Sequence, residues 1–117
     1  MNMKWNVEFY EDAKGNIPVE DFYVSLSSKK EKAKFDWIID LLEMMGIELE
    51  MPYARYLKDT GMWELRPASN RILYFLYDGK NTFVLLHAFR KVTQRTPSPH
   101  IEIALKRMLD YIKRSEA

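Results

Sequence analysis

The 117-residue chain contains no cysteine. A disulfide scaffold, a thiolate metal site and a cysteine nucleophile are therefore excluded. Only two histidines occur, His87 and His100, too few for a histidine-rich metal centre, so neither a metal nor a cofactor is expected. Long apolar runs are also missing: none approaches the roughly 18 residues that cross a bilayer. The first residues, Met1-Asn2-Met3-Lys4-Trp5-Asn6, lack the apolar core of an export signal. The expected location is cytoplasmic, with no membrane partner. Glycine is scarce, with four residues, and no glycine-rich phosphate loop, G-x-S-x-G elbow or H-E-x-x-H pair is found.

What is present can fill a core: 47% of residues are hydrophobic and 14% aromatic. Length and composition predict a single domain over residues 1–117. The formal charge of +1 conceals an asymmetry. Residues 1–50 carry 6 Lys/Arg and 11 Asp/Glu, a net of −5, whereas residues 51–117 carry 12 and 6, a net of +6. Such a split points to a polyanion partner for the basic half, against the plainer reading of two solvated surfaces.

Hydrophobic periodicity predicts the elements. Lys4 to Tyr10 alternates as a strand, and Asp12 to Asn16 is a turn. Pro18 opens a short helix carrying Val19, Phe22, Tyr23 and Leu26. Ser27 or Ser28 caps a second helix over 29–45, which Gly46 ends. Arg55 to Lys58 is extended, and Met62 to Arg66 and Arg71 to Tyr77 are strands separated by Pro67–Asn70. Asp78-Gly79-Lys80-Asn81 is a hairpin turn, and Thr82 to Lys91 is a strand buried on both faces. A last helix follows Pro97, with Ser98 as its cap, Pro99 at its first position and Arg107 among its outward residues. The predicted fold class is α+β: a twisted antiparallel sheet of about four to five strands, with two N-terminal helices and one C-terminal helix, all on one face.

Strand alternation places Glu64 with Arg66, and Arg71 with Leu73, Phe75 and Tyr77. His87, Phe89 and Lys91 fall with Phe83 and Leu85. A meander can gather Arg66, Arg71, His87, Phe89 and Lys91 at one end of the sheet, with Lys58 ending the short segment before it. Guanidinium forks match phosphate, aromatics stack on splayed bases, and a histidine moves protons near neutral pH. Each residue also has a plainer role. Arg66 and Arg71 can pair with Glu64, Asp59 or Asp78; His87, Tyr74 and Phe89 can be core; Lys58, Lys91, Arg90 and Arg95 can be solvated charges.

Several segments resemble the RelE/ParE superfamily of bacterial toxins, in its HigB-like branch of phage-derived proteins. They are Leu57-Lys58, Gly61-Met62-Trp63-Glu64-Leu65-Arg66, Arg71-Ile72-Leu73-Tyr74, Val84-Leu85-Leu86-His87-Ala88-Phe89, Lys91-x-Thr93-Gln94-x-Thr96-Pro97 and Glu102-Ile103-Ala104. The resemblance implies a RelE-like fold and the toxin of a type II toxin–antitoxin module. It also implies a ribosome-dependent mRNA endoribonuclease that needs no metal: the 2′-OH attacks the adjacent phosphate. Its partners would be the ribosome, mRNA and a cognate helix-turn-helix antitoxin; the helices over 18–45 are candidates to receive the antitoxin, because their apolar arc exceeds what one sheet face needs. Carried over, Arg66 and Arg71 would hold the scissile phosphate, while Lys58 and Lys91 would stabilise charge. His87 and Tyr74 would serve as acid–base or orienting groups, Phe89 as a stacking platform, and Arg90 and Arg95 as RNA contacts. Where the family has two consecutive lysines, this chain has Lys91-Val92. The alternatives are a ParE-like inhibitor of gyrase and a catalytically decayed protein that only binds an antitoxin and regulates its operon.

Overall fold

The computed structural model of the chain describes residues 4–117. Met1–Met3, part of the stretch read above for an export signal, lie outside the described residues. Strand β1 covers Asn6–Phe9, helix α1 Pro18–Ser25 and helix α2 Lys29–Met45. Ser28 caps α2, its hydroxyl accepting the Glu31 N–H at 3.2 Å and so occupying one of the unpaired donors of the first turn. Gly46 ends the helix at φ +56 and leads into a single 3₁₀ turn, Gly46–Glu48. Strands β2 (Ala54–Leu57), β3 (Met62–Leu65), β4 (Asn70–Tyr77) and β5 (Thr82–Arg90) follow, and helix α3 runs Ser98–Ser115. The predicted Ser98 cap is displaced by one residue: Pro97 is the cap position, and no side chain closes the first turn.

The sheet has five strands in the order β1-β5-β4-β3-β2. From β2 to β5 it is the expected antiparallel meander. At its other edge the expectation of an antiparallel sheet is corrected, because β1 pairs parallel with β5, with Val7 beside Phe83 and Phe9 beside Leu85. Two helices and three strands separate β1 from β5, so no hairpin joins them and a parallel crossover is open to the chain.

The helices do not share one face. Phe35, Ile38 and Leu42 of α2 and Val19 of α1 cover Leu65, Ile72, Tyr74, Phe83 and Leu85. Ala104 of α3, with Ile101, Leu105 and Met108, covers Leu73, Phe75, Val84 and Leu86 on the other. The physical reason lies in β5. Its run Phe83-Val84-Leu85-Leu86 is apolar on both sides, and a single helical layer would leave half of it in water.

Strand β5 also carries an irregularity that period-two reasoning does not foresee. Leu73 pairs with His87 but the next residue, Tyr74, pairs with Leu85, leaving Leu86 as an extra residue. This β-bulge shifts the alternation by one. Beyond it Ala88 joins Phe83 and Leu85 beneath α1 and α2, while Phe89 packs against α3. His87 and Phe89 were expected on the face of Phe83 and Leu85; the bulge moves both to the α3 side. Among the described residues, no helix is long and apolar enough to cross a membrane.

Candidate active site

On the α3 side of the sheet, two arginines, Arg55 and Arg71, gather around one carboxylate, and the charge of a third, Arg66, acts on Arg71. Glu64 of β3 is 3% exposed. The β2–β3 register sets Arg55 opposite it, and Arg55 Nη2 lies 3.5 Å from Oε1. Arg71 Nε approaches the same oxygen at 3.9 Å. Thr96, in the β5–α3 loop, donates its hydroxyl to Glu64 Oε2 at 2.5 Å and accepts from Arg55 Nη2 at 3.3 Å. A buried carboxylate must be paired, and here it has three partners.

Arg71 is itself only 6% exposed. Its Nη1 donates to the carbonyls of Ala68 (2.9 Å) and Asn70 (2.7 Å) and so ties the β3–β4 turn to the sheet. Burial lowers its pKa most, the neighbouring Arg66 charge adds to this, and Glu64 opposes both. Arg66, just before that turn, is half-buried, and its Nη1 rests 3.3 Å from Met51 Sδ. Three cations against one anion leave this corner with a surplus of positive charge. Arg55 Nε and Asn70 Oδ1, both buried, have no hydrogen-bond partner among the described residues.

Next to the arginines stands an aromatic and imidazole stack. The β4–β5 register sets Phe89 beside Arg71. The His100 ring, from the first turn of α3, lies on Phe89 at 3.8 Å between centroids and 5° between planes. His87 Nε2 and His100 Nδ1 are 2.8 Å apart. Arg107 Nη1 donates to the Leu86 carbonyl at 2.9 Å and meets His87 Nδ1 at 3.1 Å. A guanidinium can only donate, so His87 Nδ1 accepts, its own proton sits on Nε2, and Nε2–H donates to His100 Nδ1. His100 then carries its proton on Nε2, as a donor not used within the pair. Both nitrogens of His87 are occupied, which makes it an orienting group for His100 rather than a free base.

Burial, then the charge of Arg107, then His100 push His87 down to about 4, and burial lowers His100 as well. The folded-state value lies below the ordinary 6.5, so the unfolded chain takes up the proton first as pH falls. Stability is full above pH 6.5 and declines as pH drops toward about 4. The urea midpoint should be lower at pH 5 than at pH 7, and the difference should shrink in His87→Gln. Equal pH sensitivity in the variant would contradict this origin.

The sequence missed His100 and Arg107, and Arg107 was expected to point outward. Their signal was there: His100, Ala104 and Arg107 recur at i, i+4 and i+7, on one helix face. The bulge at Leu86 supplies the carbonyl that draws Arg107 inward.

The remaining predicted residues scatter. Lys91 lies at the same sheet end as Arg66 and Arg71, its N–H bonded to the Ser69 carbonyl at 2.8 Å. Lys58 is exposed in the β2–β3 turn, at the far end of β3 from Arg66 and about 13 Å along the strand. Phe89 is covered by His100 and offers that face to no base. Arg90 pairs with Glu31 of α2 at 2.8 Å, and Arg95 is exposed in the β5–α3 loop. Tyr74 belongs to the opposite layer: it is 1% exposed, packs against Trp63 and Phe83, and burial raises its hydroxyl pKa strongly. Its candidacy as a catalytic group is corrected, because β4 alternation directs it away from Arg71. Tyr74→Phe should leave any activity of the arginine cluster within twofold of wild type, as a rate assay would check.

Both clusters lie within residues 23–109, the part of the chain matched by the family model described as phage derived protein Gp49-like (DUF891). The chain belongs to that family. Among solved structures, the Gp49-like chain is similar to the archaeal RelE–RelB complex from Pyrococcus horikoshii OT3. The identity is 19% and the TM-score 0.57, with 82% of this chain and 100% of that chain covered. It is also similar to the toxin–antitoxin complex RelBE2 from Mycobacterium tuberculosis, at 18% identity and a TM-score of 0.54, covering 75% and 99%. It thus shares its fold with these two RelE structures. Among curated proteins there is no significant match.

Proposed function

We infer that this Gp49-like chain is the toxin of a toxin–antitoxin pair and that it cleaves mRNA on the ribosome. The observation that carries this reading is the pairing of Arg55 and Arg71 with the single carboxylate of Glu64, with the Arg66 charge acting on Arg71, beside the Phe89–His100–His87 stack. Among the described residues, no three histidine, aspartate or glutamate side chains are grouped so as to hold a metal ion, and arginines are the cations at hand. In the reaction the 2′-oxygen attacks phosphorus, the P–O5′ bond breaks, and a 2′,3′-cyclic phosphate and a 5′-hydroxyl result. The 2′-OH proton ends, in net, on the 5′-oxygen. The charge that develops on the phosphorane oxygens is stabilised by fixed cations in a partly dry site. Arg66, more exposed than Arg71, meets the phosphate, with Lys91 at the same end of the sheet adding charge. Arg71 fixes the turn behind Arg66 and contributes its own charge from below. The His100 Nε2–H donor, held in that tautomer by His87 and Arg107, serves the leaving oxygen or a phosphoryl oxygen.

The two similar structures hold toxins with their antitoxins, and a partner of that kind is proposed for this chain. Expression without such a partner should arrest growth and leave fragmented mRNA, read as new 5′ ends by primer extension. Arrest with intact mRNA and lost plasmid supercoiling would overturn the nuclease reading in favour of gyrase inhibition. Absence of arrest would overturn the toxin reading itself.

A further inference from the structure

A second feature adjoins the arginine corner on the α2 side. A groove of about 520 Å³ runs between α2 and the β3–β4 turn, lined by Lys30, Lys34, Trp37, Tyr53, Arg66 and Pro67, among others. Its volume falls within the range of about 300–1,000 Å³ typical of ligand sites. Trp37 and Tyr53 meet edge to face at 5.5 Å, yet remain 51% and 40% exposed. Both rings therefore offer open aromatic surface to the groove. Lys30 and Lys34 stand one helical turn apart on α2, where like charges repel each other. With Arg66 they make three cations around the aromatic pair, and no carboxylate lines the groove. Aromatic faces flanked by cations match a single-stranded nucleic acid, whose bases stack and whose phosphates are anionic. A protein partner would gain from the aromatics but would need acidic groups for all three cations.

We propose that this groove is a second RNA subsite, seating a nucleobase next to the scissile phosphate against Trp37 and Tyr53 and its backbone phosphate against Lys30 and Lys34. The proposal rests on the RNA-cleaving reading, and Arg66 joins the two sites because it borders both. It places the flanking nucleotide on the α2 side of the sheet end, across the β3–β4 turn from His100.

The test uses the full chain and a single-stranded decauridylate containing one 4-thiouridine, at low salt. Photocrosslinks should map to Trp37 or Tyr53. Trp37→Ala should weaken binding about tenfold, since stacking contributes roughly 1–3 kcal/mol per base. Lys30→Glu/Lys34→Glu alters only exposed side chains and should weaken binding and flatten its salt dependence, as lost phosphate contacts do. Wild-type affinity in both variants, or no binding by the wild type, overturns the subsite. So does a Trp37→Ala protein that binds RNA normally but escapes a co-expressed antitoxin, which would assign the groove to a protein. If binding depends on Trp37 while the wild type leaves cellular mRNA intact, the subsite stands and the nuclease reading falls.

Discussion

Arg71→Ala should lower mRNA cleavage by about 10²-fold or more, the range seen when one preorganised donor is removed from a charge-stabilising site. Two effects combine. The positive charge beneath Arg66 disappears, and the carbonyls of Ala68 and Asn70 lose the donor that holds the turn. The same change leaves Glu64 buried with one cation fewer. Breaking a buried pair destabilises by about 3–5 kcal/mol, and because Arg55 remains 3.5 Å from the same oxygen, the lower end of that range is expected. Stability and catalysis can be separated in the double variant Arg71→Ala/Glu64→Gln. Removing the uncompensated carboxylate charge should recover much of the melting temperature while cleavage stays low. If cleavage returns with stability, Arg71 is a partner for Glu64 and nothing more.

Among the four glycines, Gly46→Ala should be the most destabilising. Gly46 sits at φ +56, and a Cβ there would run into the indole of Trp5. The left-handed backbone disfavours an L side chain by about 1–2 kcal/mol, and overpacking adds roughly 1–3 kcal/mol. The indole cannot swing away freely, because it packs against Phe83 at 5.3 Å and its backbone N–H is bonded to the Glu43 carbonyl. A fall in melting temperature of roughly 10 °C or more follows. Gly61→Ala is the control. Its φ is also positive, at +74, but its Cβ would meet open space, so only the backbone penalty applies. Equal losses in the two variants would mean that Trp5 does not close on Gly46.

Much of the architecture can be read from residue patterns. The helix over 29–45, its Ser28 cap, its Gly46 stop and the Asp78–Asn81 hairpin each have a local cause and appear where that cause puts them. The alternation in β4 separates Arg71 from Tyr74 correctly, and that pattern already argued against Tyr74 as a site residue. Three features are not local. The partner of β1 depends on the crossover, which periodicity does not record. The placement of α3 on its own face depends on how much of β5 must be covered. The bulge at Leu86 shows no glycine or proline to mark it, yet it decides where His87 and Phe89 point. The candidate site suffers most from this, because it lies just beyond the bulge. Arg66, Arg71, His87 and Phe89 were legible by residue type. Of their organisers, Glu64 was one of several possible partners for the arginines and His100 and Arg107 shared a helix face, but tertiary contact alone selects them, and Thr96 shows itself only in the fold.

The parallel pairing of β1 with β5 has a consequence for the order of assembly during synthesis. Contacts between position 6 and position 82 span most of the chain, and β1, α1 and α2 emerge from the ribosome before the strand they dock on exists. At about 5–20 residues per second, the wait lasts several seconds. The groups around Glu64, from Arg55 to Thr96, are likewise gathered only once Thr96 has been made. A nascent chain therefore carries helices with open apolar faces but no assembled arginine corner. The arginine corner is complete only after Thr96 has been made, well after the helices on the opposite face of the sheet.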